Sequence, residues 1–82
     1  MLTAYIEAAM RHATYEILED GEGYYGEIPG IQGVWVNAET LEACRDELQS
    51  VLEDWILVGF HLGAVIPPVD GIDLNPIAEK AA

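Results

Sequence analysis

The chain has 82 residues, which is enough for one domain. It carries 15 acidic side chains against three basic ones (Arg11, Arg45 and Lys80), and its formal net charge is −12. Nucleic acids and anionic membranes are bound through lysine and arginine, so this composition argues against direct nucleic-acid binding and against a membrane partner. A basic protein would be attracted, because opposite charges accelerate diffusional encounter. A role of the charge in solubility alone explains it equally well.

The small core and the cysteine content set two further expectations. A domain of this length buries only about 60% of its unfolded surface, yet 51% of its residues are hydrophobic. We therefore expect self-association, as a homodimer or a homotetramer. The single cysteine, Cys44, has no partner for an intrachain disulfide, and the first residues lack the pattern of a signal peptide. Both features predict a cytoplasmic protein.

Hydrophobic spacing predicts the first elements of the chain. Residues 2–11 place apolar side chains three and four positions apart, which indicates a short helix. Residues 13–28 form two short runs around a glycine-containing turn at residues 20–23, a pattern typical of a β-hairpin. Because side chains alternate along a strand, Tyr24 and Tyr25 must point to opposite faces of the sheet.

A third strand and a long helix follow. Residues 33–38 alternate so that two valines share one face and Trp35 takes the other. Thr40 is a good N-cap for a helix over residues 41–58, in which apolar side chains keep helical spacing. The same spacing extends as far as Leu62, before two glycines and a Pro-Pro pair end it.

The predicted fold class is α+β: a small three- to four-stranded antiparallel sheet packed by one long helix, with an extra short N-terminal helix. We expect a single domain with a helix at residues 1–12, a core at residues 13–68 and a tail at residues 69–82. Ile72 and Leu74 alternate with polar residues in that tail. The tail is therefore either a fourth, edge strand or an arm that packs on a neighbouring subunit.

The hairpin, the Ile-Pro-Gly segment after it and the Asn-Ala-Glu-Thr-Leu-Glu entry into the long helix resemble the HicB antitoxin family of type II toxin–antitoxin systems. The matching positions are Tyr24, Tyr25, Glu27, Ile28, Pro29, Gly33, Thr40, Leu41, Glu42, Leu48, Leu52 and Trp55. The resemblance spans residues 13–68. It implies a truncated RNase H-like fold with the element order β-β-β-α-β.

The resemblance also implies a partner. HicB-like proteins bind HicA, a small basic ribonuclease toxin, and block its access to mRNA. Many of them carry a C-terminal DNA-binding segment, but only 14 residues follow Pro68 here, so we expect no DNA-binding domain in this chain. The helix before Ala13 also departs from the commonest members, which begin directly in the first strand. A role in dimerisation is a hypothesis for that helix.

An RNase H-like outline raises the alternative of a two-metal nuclease or small hydrolase. Its carboxylates would be Glu16, Glu27 and Asp46, which would have to converge around two cations. Solvent-facing positions explain these residues equally well, and basic groups to hold RNA are nearly absent. His12 and His61 have no metal ligand at suitable spacing in the sequence, and Cys44 lies in the apolar stripe of the helix. We therefore expect no enzyme, no metal and no cofactor.

The residues expected to bind a partner are aromatic and acidic side chains. Tyrosine and tryptophan are favoured anchors of protein interfaces, and carboxylates suit a basic partner. The candidates are Tyr24, Tyr25, Glu27, Trp35, Glu42, Asp46 and Glu53. The function that this pattern favours is occlusion of a basic HicA-like toxin. The alternative is a self-associating structural or adaptor module without a cognate toxin.

Overall fold

The computed structural model describes residues 2–74, apart from the side chain of Asp20. The elements are α1 (Leu2–Arg11), β1 (Thr14–Ile17), β2 (Tyr24–Glu27), β3 (Trp35–Ala38) and α2 (Leu41–Leu62), with a 3₁₀ turn at Glu19–Gly21 between β1 and β2. The predicted α+β class, with its N-terminal helix, three antiparallel strands and long helix, is confirmed.

The sheet is an antiparallel meander in the order β1-β2-β3. Glu16 of β1 faces Tyr25 of β2, and Glu27 of β2 faces Trp35 of β3. Directly opposed residues of an antiparallel pair lie on the same face of the sheet. One face therefore carries these four side chains, and α2 packs on the other.

The core lies between α2 and that inner face. Four α2 residues spaced four apart are buried, namely Cys44, Leu48, Leu52 and Ile56. Val34 and Val36 are buried against them while Trp35 is exposed, so the predicted placement of Trp35 on the face opposite the valines is confirmed. Gly26 allows the close approach of helix and sheet, because a Cβ there would lie 2.9 Å from the Sγ of Cys44.

The N-terminal helix is part of this core, which therefore extends beyond residues 13–68. Tyr5, Ala8 and Ala9 are fully buried. The Tyr5 hydroxyl donates a 2.6 Å hydrogen bond to the carbonyl of Pro67, which ties α1 to the segment after α2. Part of the apolar face of α1 is thus covered by its own chain, while Leu2 remains 43% exposed. A role of α1 in dimerisation stays a prediction.

Helix α2 ends at Leu62 because of a glycine C-cap. Gly63 adopts a left-handed conformation (φ 71°), and the amides of Gly63 and Ala64 donate to the carbonyls of Phe60 and Gly59. This is the hydrogen-bond pattern of a Schellman motif. The helix thus extends beyond residue 58 to Leu62, the last residue to which the apolar spacing extended.

At its other end, α2 begins as the sequence predicted. The Oγ1 of Thr40 accepts a hydrogen bond from the amide of Ala43 at 3.1 Å. We expect Thr40→Ala to lower the free energy of unfolding by about 1 kcal/mol, because that amide loses its partner. Urea denaturation monitored by circular dichroism measures the change. Ser50→Ala, at an exposed position within α2, is the control and should show no loss.

The described part of the tail forms a tight turn and does not pair with the sheet. Val69 and Ile72 exchange two backbone hydrogen bonds of 3.1 and 2.8 Å around Asp70 and Gly71, which both have positive φ. This arrangement matches a type I′ turn. Within residues 69–74, therefore, no fourth strand joins the sheet, and the remainder of the predicted edge strand or arm lies outside the described residues.

Candidate protein-binding surface

The face of the sheet opposite α2 is polar and aromatic. We call it the open sheet face. Its side chains, from the register of the three strands, are Thr14, Glu16, Tyr25, Glu27, Trp35 and Asn37. Trp35 remains 53% exposed there, which is unusual for a residue of this size in a small domain. The face thus offers an aromatic side chain to a partner.

An aromatic pair occupies the centre of this face. The rings of Tyr25 and Trp35 stack with centroids 6.1 Å apart and an interplanar angle of 28°. The two residues are diagonal neighbours on adjacent strands, a separation that aromatic side chains can bridge. Stacking holds both rings in fixed positions, so little conformational entropy remains to be lost when a partner binds.

Carboxylates adjoin the aromatic pair. The Tyr25 hydroxyl donates a 2.9 Å hydrogen bond to Oε1 of Glu27. This hydrogen bond, followed by partial burial and the charges of Glu27 and Glu16, raises the pKa of Tyr25 above its ordinary value. The phenol is therefore a neutral donor at physiological pH, and it orients Glu27 beside the rings.

A substitution of Glu27 tests this electrostatic assignment. We expect Glu27→Gln to lower the pKa of Tyr25 toward its ordinary value, because the carboxylate acceptor and one nearby negative charge are removed together. Ultraviolet absorbance titration of phenolate formation measures it, with Tyr25→Phe identifying the contribution of Tyr25. An unchanged titration curve would contradict the hydrogen bond as the main cause.

The predicted partner-binding residues fall on separate surfaces. Tyr25, Glu27 and Trp35 meet on the open sheet face. Tyr24 lies on the inner face, where it is partly buried against the core. The three acidic residues predicted on α2 are exposed, on the helix at the opposite side of the sheet; they are Glu42, Asp46 and Glu53.

Sequence reasoning omitted Glu16 and Asn37 from the binding residues, although both lie on the open sheet face. The signal that would have found them is the register of the three strands. Tyr25 of β2 lies between Glu16 of β1 and Asn37 of β3. Glu16 was considered only as a nuclease carboxylate. Its position adds a second negative charge to the surroundings of the aromatic pair.

The carboxylates considered for a nuclease do not converge. Glu16 and Glu27 share the open sheet face, whereas Asp46 lies on α2 across the sheet. Within residues 2–74 there is no group of three or more His, Cys, Asp or Glu side chains able to hold a metal ion. Cys44 is buried, and burial, with the charge of Glu47, raises the pKa of its thiol.

His12 has a partner that the sequence did not indicate. Its Nε2 lies 2.7 Å from a carboxylate oxygen of Asp70, and Arg11 lies 3.8 Å from the other oxygen. All three side chains are largely exposed. The cluster links the end of α1 to the turn after α2, and exposed pairs of this kind contribute little stability.

A groove of about 810 Å³ lies between α1, β1 and α2. Arg11 and Arg45 both line it, beside Tyr15. Two of the three basic residues of the chain therefore face this groove. Glu7 and Glu53 line the same groove, so its formal charges balance.

No helix within residues 2–74 combines the length and the apolar character needed to cross a membrane. Among solved structures, the chain resembles TTHA0281 from Thermus thermophilus, with 44% sequence identity and a TM-score of 0.83. The match covers 89% of this chain and 96% of that one. No curated protein matches the chain significantly.

The sequence pattern described as UPF0150-like matches residues 4–67, which include most of α1, the whole sheet and α2. UPF0150 proteins are related to HicB-like toxin–antitoxin proteins. With more than half of its length matched, the chain belongs to the UPF0150-like family.

Proposed function

We propose that this protein is an antitoxin that binds a small basic mRNA-cleaving toxin of the HicA class and occludes its RNA-binding surface. The observation that carries the proposal is the open sheet face, where the exposed Trp35 stacks on the half-buried Tyr25 beside two carboxylates. The relation of the UPF0150-like family to HicB-like proteins supports the same function.

The proposed mechanism follows from charge. A ribonuclease must hold a polyanion, so its substrate surface carries lysine and arginine. Trp35 and Tyr25 would pack against apolar parts of that surface, while Glu16 and Glu27 would pair with its cationic side chains. The net charge of −12 would then repel RNA from the complex. Occlusion therefore requires no chemistry from this chain.

Glu42, Asp46 and Glu53 have a different part in this proposal. They lie on α2, across the sheet from the aromatic pair, so one compact toxin surface does not contact both sets. Exposed charges outside an interface accelerate encounter and add little to the final affinity. We infer that the acidic residues of α2 steer the toxin and that the open sheet face holds it.

The test uses the full chain and a HicA-like toxin encoded beside its gene, with titration calorimetry and an RNA-cleavage assay at low and high salt. The proposal expects a stable complex at low salt, suppressed cleavage and weaker binding at high salt. Glu16→Lys/Glu27→Lys should abolish binding. Its matched control, Glu42→Lys/Asp46→Lys, makes the same change in charge on α2 and should slow association without abolishing the complex.

Two results would overturn the proposal. One is the absence of a complex with the toxin at low salt. The other is loss of binding in the α2 variant while the sheet variant still binds, which would move the interface to the helix. A chain with no small basic protein encoded beside it would favour the alternative, a self-associating adaptor module. The exposed apolar residues at the end of α2 are the observation that favours that alternative.

A further inference from the structure

The last turns of α2 are apolar around most of their circumference, with His61 as the one polar side chain after Trp55. Five large hydrophobic side chains are exposed there and just beyond, from 43% for Phe60 to 82% for Val65. They are Leu57, Val58, Phe60, Leu62 and Val65, and we call them the α2-end patch. A helix segment with so wide an apolar surface is normally buried. Here the core stripe of α2 ends at Ile56, and the patch follows it.

The absence of charged residues from this patch indicates what can cover it. Residues 55–69 form the longest stretch of the chain without Asp, Glu, Lys or Arg. Over most of the other described residues, two copies that each carry a net charge of −12 would bring carboxylates together, which is unfavourable. The α2-end patch is a surface at which two copies can meet without that repulsion.

Other occupants fit this surface less well. A basic toxin gains less from a surface without carboxylates, because lysines and arginines would be desolvated there without partners. An anionic membrane repels a chain of this net charge. A second copy needs no charged partner at the patch, so the absence of charge there is compatible with a dimer.

The area is sufficient for a dimer. Each of the five side chains exposes on the order of 100 Å², so the patch offers about 500 Å² per chain, near the upper limit for stable monomers. Two copies meeting through it would bury about 1,000 Å² in total, which is the lower limit of a specific interface. We propose that this protein forms a homodimer in which the α2-end patches of two copies pack against each other.

The proposal is tested by the mass of the full chain in solution. Sedimentation equilibrium and light scattering should give a dimer of the 9.0 kDa chain. Leu62→Lys/Val65→Lys should weaken self-association by about a hundredfold or more, because both copies lose two buried apolar groups. The two lysines reduce the net negative charge of each chain, so dissociation would follow from charges placed in the apolar contact and not from a larger overall repulsion. Ile17→Lys, at another highly exposed apolar position, should stay dimeric.

Salt gives a second readout. Screening of the like charges should tighten the dimer as ionic strength rises, whereas a toxin complex held by opposite charges should weaken. Cross-linking with a bismaleimide provides a third readout that needs no disruptive variant. Val65→Cys should form cross-linked pairs and Ile17→Cys should not, with the buried Cys44 contributing to neither.

Three outcomes would overturn the inference: a monomeric wild-type chain at every concentration, a dimer that survives Leu62→Lys/Val65→Lys with native circular dichroism, and cross-linking through position 17 in preference to position 65. A monomeric chain whose binding to the HicA-like toxin is lost in the double lysine variant would assign the patch to the toxin.

Discussion

Replacing Gly23 by alanine is expected to lower the free energy of unfolding by about 4 kcal/mol, which is most of the stability of a domain of this size. Gly23 has φ +102°, and a Cβ there would lie 2.3 Å from the carbonyl oxygen of Ala38. The obstacle is backbone, so no side chain can rotate away. Positive φ and overpacking each contribute a few kcal/mol.

Urea denaturation followed by circular dichroism measures this loss. Gly30→Ala is the matched control, because Gly30 also has a positive φ (+89°) but open space around its missing Cβ. We expect a loss of only about 1–2 kcal/mol there. Equal losses in the two variants would show that the loop moves to relieve the contact, and would contradict the close approach of Gly23 to β3.

Replacing Trp35 by alanine is expected to weaken binding of the proposed toxin by about 2 kcal/mol or more, equivalent to roughly thirtyfold in Kd. The side chain is 53% exposed and stacks on Tyr25, so a partner would bury it and the variant would remove the central contact. Stability should fall by about 1 kcal/mol, the contribution of an aromatic pair.

Titration calorimetry with the HicA-like toxin measures the affinity, and thermal denaturation confirms that the variant is folded. Leu41→Ala is the control, because Leu41 is 43% exposed at the start of α2, away from the open sheet face. It should bind as tightly as the wild type. Unchanged affinity in Trp35→Ala would remove the aromatic pair from the interface.

The sequence was sufficient to predict the elements that depend on local patterns. Helical spacing and the Thr40 cap located α2, and alternation in β3 correctly placed the valines and Trp35 on opposite faces. These are short-range signals, since each reflects neighbours within one or two turns or strand residues.

The same local patterns could not predict contacts between residues that are far apart in the sequence. The hydrogen bond of Tyr5 to Pro67 and the pairing of His12 with Asp70 join residues that are 62 and 58 positions apart. No periodicity encodes such contacts, because they depend on how α1 packs beside α2. For the same reason, the sequence did not show that α1 belongs to the core.

The candidate surface was only half predictable. Alternation required Tyr24 and Tyr25 to face opposite ways, but it did not say which of them faces α2. Gly26 decides this, because it shares a face with Tyr24 and leaves room for Cys44 of the helix. A glycine within a strand often marks such a close approach, so that signal was present in the sequence.

The position of Cys44 also makes the separation of α2 from the sheet measurable. The chain has a single cysteine, and its side chain is enclosed between α2 and β2 with Sγ 3.8 Å from the carbonyl of Tyr24. A thiol reagent reaches it when the helix separates from the sheet. The rate of modification under native conditions therefore measures how often that separation occurs, without any engineered probe.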